Sequence, residues 1–290
     1  MRSRQLLRRC TRLLIAFSLP LAAPATALDC RSGEGAVVVT EDNGSFLCKP
    51  DGTGDFPAVL YNHGGLGLAV GGDLEGTCRA LAGAGYLASV PLRADPPEKR
   101  LPDHQQEVLD AFDSLHGRTD VNPNRVAVMG FSRGGLLSLG VALERPGTVA
   151  ATVLMAPAPG NVYLQQLLED VSPIAAPVLI QVAANDTVSA DHVFYADQVA
   201  SALQAESKTY THTLLDAYPF TGCTSCDGHD VFQQVDDEFT DYWCEVREFL
   251  ALQLAEAPGV PAVSGRGRLF AAALLVGAGA LALRRRMVGA

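Results

Sequence analysis

What this 290-residue sequence lacks narrows its reading first. It has no internal repeat, which argues against solenoids and propellers. It has no excess of positive charge, the formal net being −10, and no acidic residue before Leu28 or after Ala262. Ten of the 22 basic residues, five arginines at each end, lie outside that segment, so it keeps 12 basic residues against 32 acidic ones. Such a surface repels nucleic acid and polyanionic substrates. Nor does either end carry an apolar run of the roughly 20 residues that a transmembrane helix needs.

Shorter apolar runs are present at both ends. Arg2, Arg4, Arg8, Arg9 and Arg12 precede Leu13 to Ala23, and Ala25-Thr26-Ala27 follows, which is the layout of a secretory signal peptide over residues 1–27. At the other end, Leu269 to Leu283 is uncharged and is followed by Arg284-Arg285-Arg286. With its preceding Val260-Pro261, this segment resembles the tripartite PEP-CTERM-like sorting signals of exported bacterial proteins. The resemblance implies membrane tethering over residues 269–290 and a sorting protease as partner; a simple anchor is the alternative. The chain is thus expected to be exported, periplasmic or at the cell surface. Residues 28–256 are read as the one globular domain, and residues 257–268, Gly- and Pro-rich, as a linker.

Six cysteines remain after the signal: Cys30, Cys48, Cys78, Cys223, Cys226 and Cys244. An even number in an exported chain points to disulfides. Cys30 with Cys48 is the first expected pair, because both flank one short β segment. A zinc set of Cys223, Cys226, His229 and Cys244 is the less favoured reading, since it lacks a second paired motif.

Apolar β-branched runs alternate with helical patterns, the order of an α/β domain with a mostly parallel sheet and helices on both faces. A hairpin is expected over residues 35–49 around Asn43-Gly44, followed by strands near residues 57–61, 86–90, 125–129, 150–155, 178–182 and 209–215. Helices are expected near residues 78–82, 102–115, 190–205 and 231–254, the last long enough to be broken. Only residues 163–170 can form a helix between the strands at 150–155 and 178–182, which leaves no room for a large cap.

The strand Val126-Ala127-Val128-Met129 runs into Gly130-Phe131-Ser132-Arg133-Gly134-Gly135 and then a helical stretch. Strand, sharp turn and helix are the context of a nucleophile elbow, which makes Ser132 the candidate nucleophile. A serine hydroxyl needs a base oriented by an acid, in the chain order Ser, Asp, His. Asp186, in the loop after the strand at 178–182, is the expected acid. Asp191 is its rival, although capping of the following helix explains it. His229, in the polar loop before the last helix, is the expected base; His192 and His212 are read as structural. The two oxyanion donors are expected from the backbone of Arg133 and from Gly65 or Leu66, in the loop Asn62-His63-Gly64-Gly65-Leu66.

Together, His63-Gly64-Gly65, the Gly-Phe-Ser-Arg-Gly-Gly elbow, Asp186 and Gly228-His229 resemble the dienelactone hydrolase-like branch of the α/β-hydrolases, over roughly Pro57 to Leu254. The resemblance implies an α/β-hydrolase fold, no cofactor and hydrolysis of an ester or lactone through an acyl-enzyme. An amidase or peptidase on the same triad is the alternative, and an inactive tethered binding protein a further one. Ser132 departs from the family's founding enzyme, whose nucleophile is cysteine, and so weakens any transfer of its substrate.

Overall fold

The computed structural model describes residues 35–65, 72–93, 100–187, 190–218, 227–233, 235 and 242–255. The expected signal peptide, linker and C-terminal apolar segment, with Leu66, Cys30, Cys223 and Cys226, lie outside them. Among the described residues, no helix is long and apolar enough to cross a membrane.

The chain opens with a hairpin of β1 (Val37–Asp42) and β2 (Ser45–Pro50), in register from Asp42 opposite Ser45 to Val37 opposite Pro50. Its two-residue turn is Asn43-Gly44, both at positive φ, which asparagine and glycine tolerate best. Then come β3 (Phe56–Asn62), α1 (Leu74–Gly83), β4 (Leu87–Val90), α2 (Leu101–His116), β5 (Val121–Phe131), α3 (Arg133–Glu144) and β6 (Ala151–Met155). These are followed by α4 (Tyr163–Leu168), β7 (Val178–Ala183), α5 (His192–Ala205), β8 (Tyr210–Leu215), a 3-10 turn (Gly228–Gln233) and α6 (Tyr242–Gln253).

The eight strands form one sheet in the order β1-β2-β4-β3-β5-β6-β7-β8. It is antiparallel from β1 to β4 and parallel from there on. The alternation of strand residues shows why helices must cover both faces. Ala58, Leu60, Val126 and Val128 point into a core with Val108, Leu109 and Phe112 of α2, whereas Val59, Tyr61, Ala127 and Met129 join a second core with Leu81 of α1 and Val246 and Leu250 of α6. α3 is buried continuously from Gly134 to Ala142. Its N-terminus is therefore held rigidly where β5 ends.

One expectation is corrected. Cys48 bonds to Cys78, not to Cys30. β2 lies against β4 and α1 packs across both, so Cys48 on the strand and Cys78 on the helix meet in the core with Cα atoms 5.6 Å apart. The long stretch over residues 231–254, expected as a helix long enough to be broken, holds a 3-10 turn and a separate α6. The turn's backbone is committed elsewhere, with Asp73 N–H donating to Gln233 O at 2.8 Å and Gly228 N–H to Asn185 O at 3.3 Å.

Candidate active site

Parallel strands deliver their carboxyl ends to one edge of the sheet, and that is where the candidate residues gather. Asn62 at the end of β3 pairs with Gly130, Phe131 of β5 with Met155 of β6, and Met155 with Gln181 of β7.

Ser132 sits in the one-residue turn between β5 and α3, at φ 54° and ψ −116°. A non-glycine residue there costs roughly 1–3 kcal/mol and persists only where the surroundings impose it. They do so through three backbone bonds: Ser132 N–H donates to Met155 O at 2.8 Å, and Ser132 O accepts from Leu136 N–H at 3.1 Å and Ala158 N–H at 3.0 Å. The flanking glycines are required by space. A Cβ on Gly134 would lie 1.8 Å from Asn62 O, and one on Gly130 would lie 2.3 Å from Gly134 O. Gly64, from the loop after β3, also stands against the turn, since a Cβ on it would lie 3.4 Å from that of Ser132 and 2.7 Å from the Phe131 ring.

Asp186 is fully buried, three residues past β7. Both of its carboxylate oxygens lie 2.9 Å from His229 Nδ1. A carboxylate only accepts, so His229 carries its proton on Nδ1 and keeps Nε2 as the basic nitrogen. The His229 ring packs on Phe131, the neighbour of Ser132, at 4.6 Å between centroids. The loop that brings His229 in is held tightly. Asp227 accepts from the N–H groups of His229 and Thr187, each at 3.1 Å. A Cβ on Gly228 would lie 2.6 Å from Asp186 N and 2.7 Å from Asn185 Oδ1, so only glycine lets this loop reach the acid. Asp191, the rival acid, caps α5 through Phe194 N–H at 3.0 Å. His212 lies on β8 beside Asp197.

Of the expected oxyanion donors, Arg133 is the first residue of α3 and Gly65 lies in the loop after β3, at φ 53°. That loop is bound from behind by Arg93, after β4. The Arg93 Nη2 donates to His63 O and, at 3.1 Å, to Gly65 O, and the Arg93 N–H donates to His63 Nε2 at 2.9 Å. Burial, with the neighbouring Arg133, lowers the Arg93 pKa to about 9, so it remains a cation at neutral pH. Burial and then the Arg93 charge push His63 down to about 4, which keeps its ring neutral and accepting.

Two groups were missed by sequence reasoning. Arg93 is a single basic residue after a strand, with no motif around it. His192, expected to be structural, opens α5 beneath the site: its ring lies 4.3 Å from that of His229, and its Nε2 is 4.0 Å from Asp186 Oδ1. Burial holds its pKa below the usual histidine value, with Asp186 partly opposing. A separate groove between α4 and α5, lined by Gln165, Leu168, Phe194 and Gln198, shares none of these side chains.

Residues 96–221 match the model of the Dienelactone hydrolase family, from the start of α2 past β8. The matched stretch spans the Ser132 elbow and Asp186, while the Gly65 loop and His229 lie outside it. A curated relative, "Uncharacterized peptidase YtmA" of Bacillus subtilis (strain 168), is 27% identical over 112 residues, 37% of this chain. The chain matches 43% of that relative's length. Among solved structures, a fungal esterase from Rhizomucor miehei is similar at TM-score 0.58 and 18% identity, over 79% of this chain and 87% of its own. Porphyromonas gingivalis dipeptidyl peptidase 4 is similar at TM-score 0.55 and 16% identity, over 76% of this chain and 35% of its own. At such identities the likeness is one of fold, and the fold is that of the α/β-hydrolases, as expected.

Proposed function

We propose that the protein is a serine hydrolase of carboxylic esters or lactones. The observation that carries this reading is the strained Ser132 turn at the same sheet edge as a His229–Asp186 pair whose hydrogen bonds leave the imidazole Nε2 basic. In the reaction, Ser132 Oγ attacks the substrate carbonyl carbon as His229 Nε2 takes its proton. The negative charge that develops on the carbonyl oxygen is met by the N–H of Arg133 and one from the Gly65-Leu66 segment. Collapse expels the alcohol, which receives the proton from His229. Water then repeats the sequence on the acyl-enzyme, releasing the acid and restoring Ser132.

The Arg93 brace supports this assignment, because an oxyanion site works only if its backbone donors are held in place before reaction. Amide cleavage is the second reading, favoured by the likeness to a curated peptidase. Initial rates on p-nitrophenyl esters of increasing chain length, set beside peptide anilides, test both. Ester turnover that vanishes in Ser132→Ala supports the proposal, anilide turnover without ester turnover moves it to an amidase, and no turnover of either refutes it.

Export and tethering are part of the proposal. The buried Cys48–Cys78 disulfide and a second disulfide at Cys244 favour an oxidising compartment, and the latter removes one ligand from the zinc set weighed for the cysteine-rich loop. Deleting residues 269–290 should move the protein from membranes to the soluble fraction. Membrane retention after the deletion would refute the tether.

A further inference from the structure

We propose that Asp186, His192 and His229 form a binding site for a divalent cation of the zinc type, and that the bound ion switches the hydrolase off. Each residue offers one ligand atom, and the three atoms lie within 4.8 Å of one another.

The decisive group is His192, which the hydrolytic mechanism does not use. Its ring is 1% exposed, and its Nδ1 lies 3.3 Å from Pro157 O. A carbonyl oxygen only accepts, so that contact places the ring proton on Nδ1 and leaves a lone pair on Nε2. This Nε2 has no hydrogen-bond partner and lies 4.0 Å from the Asp186 carboxylate. Two acceptors thus face each other across a gap too long for a direct hydrogen bond. A metal cation between them satisfies both.

The dimensions suit zinc. Ligand atoms about 2.0–2.1 Å from a tetrahedral zinc stand roughly 3.3 Å from each other. The distances here from Asp186 Oδ1, 2.9 Å to His229 Nδ1 and 4.0 Å to His192 Nε2, bracket that value, so shifts of about 0.4 and 0.7 Å bring these two pairs to it. Two imidazoles and one carboxylate are a borderline-soft set that favours zinc over magnesium or calcium. The tilted stacking of the two rings, 33° between planes, and the bonds of Asp227 hold the ligands in place.

Binding balances without net proton release. His229 Nδ1 yields its proton to solvent as Nε2 takes one up, so the ring stays neutral with the metal on Nδ1 and hydrogen on Nε2. A protonated Nε2 has no lone pair for the Ser132 proton, hence the loss of hydrolysis. The inhibitory consequence rests on the proposed triad, whereas the binding does not.

The test uses the oxidised full-length protein. Equilibrium dialysis against zinc should show one bound ion, and X-ray absorption at the zinc edge should show two imidazoles and only nitrogen or oxygen neighbours. His192→Phe, which retains a ring against His229, should weaken zinc binding by about tenfold or more. Sulfur neighbours would move the ion to the cysteine-rich segment and overturn the proposal, as would no bound zinc or equal affinity in His192→Phe. If His192→Phe does not fold, the absorption spectrum of the unaltered protein decides alone. Ester hydrolysis that continues with zinc bound overturns the inhibitory role. Zinc bound on two imidazoles in a protein that hydrolyses no ester even when metal-free refutes the triad and leaves the metal site standing.

Discussion

Replacing Gly228 by alanine tests how the histidine loop is positioned, without touching any group that transfers a proton. The added Cβ would meet Asp186 N at 2.6 Å, Asn185 Oδ1 at 2.7 Å and the Ala183 Cβ at 2.8 Å. Two of these contacts are with rigid atoms of the β7 edge, so the loop must retreat. Reaching an ordinary separation of about 3.5 Å requires a shift of roughly 0.9 Å. The 2.9 Å bonds from His229 Nδ1 to Asp186 would then be stretched past hydrogen-bonding range. A misplacement of about 1 Å costs on the order of 10²-fold in rate. Overpacking should also lower stability by about 1–3 kcal/mol. Steady-state kinetics on a short-chain p-nitrophenyl ester, with thermal melts run in parallel, should show kcat falling about 100-fold in a protein that still melts cooperatively. Wild-type kcat in Gly228→Ala would refute the reasoning, since the close approach at Gly228 would then have no bearing on the pair.

Other perturbations probe other links. Arg93→Lys should lower kcat by roughly 10²-fold with KM little changed, because one ammonium cannot hold both the His63 and Gly65 carbonyls; a variant that only melts earlier would make Arg93 a packing residue. Removing the Cys48–Cys78 disulfide by a double alanine substitution opens a cross-link over 30 residues and should cost about 3–4 kcal/mol in urea unfolding, and an unchanged midpoint would contradict the pairing. Acid should destabilise the fold above the carboxylate range. His63 takes its proton at 6.5 when unfolded but only at about 4 when folded, so the stability present above pH 6.5 is lost as pH falls towards 4. The loss attributable to His63 is about 3 kcal/mol, and His192 adds to it in the same direction. A urea midpoint that stays flat from pH 6.5 to 4 would refute the buried neutral state of His63.

Much of this architecture was legible because its signals are local. Alternating burial along β3 and β5 leaves a period-2 pattern, and Asn43-Gly44 marks a two-residue hairpin. The Ser132 elbow could be read from its glycines, since Gly130 and Gly134 are fixed by contacts within a few residues or with the adjacent strand. Asp186 and His229 followed from chain order after strands, and the structure brings these two together. Features set by long-range packing were not legible. The Cys48–Cys78 bond depends on α1 lying across β2 and β4, which no spacing reveals. His192 reads as a helix-start histidine until the sheet carries Asp186 and His229 onto it.

The central claim is that Ser132 is the nucleophile served by His229 and Asp186, and the most direct measurement is peptide mapping after reaction with a fluorophosphonate probe. The account predicts a single adduct on the peptide containing Ser132, lost in Ser132→Ala and formed far more slowly in Asp186→Asn, where the misdirected imidazole costs about 10⁴-fold in comparable triads. An adduct on another residue, or equal labelling of wild type and Ser132→Ala, would contradict it.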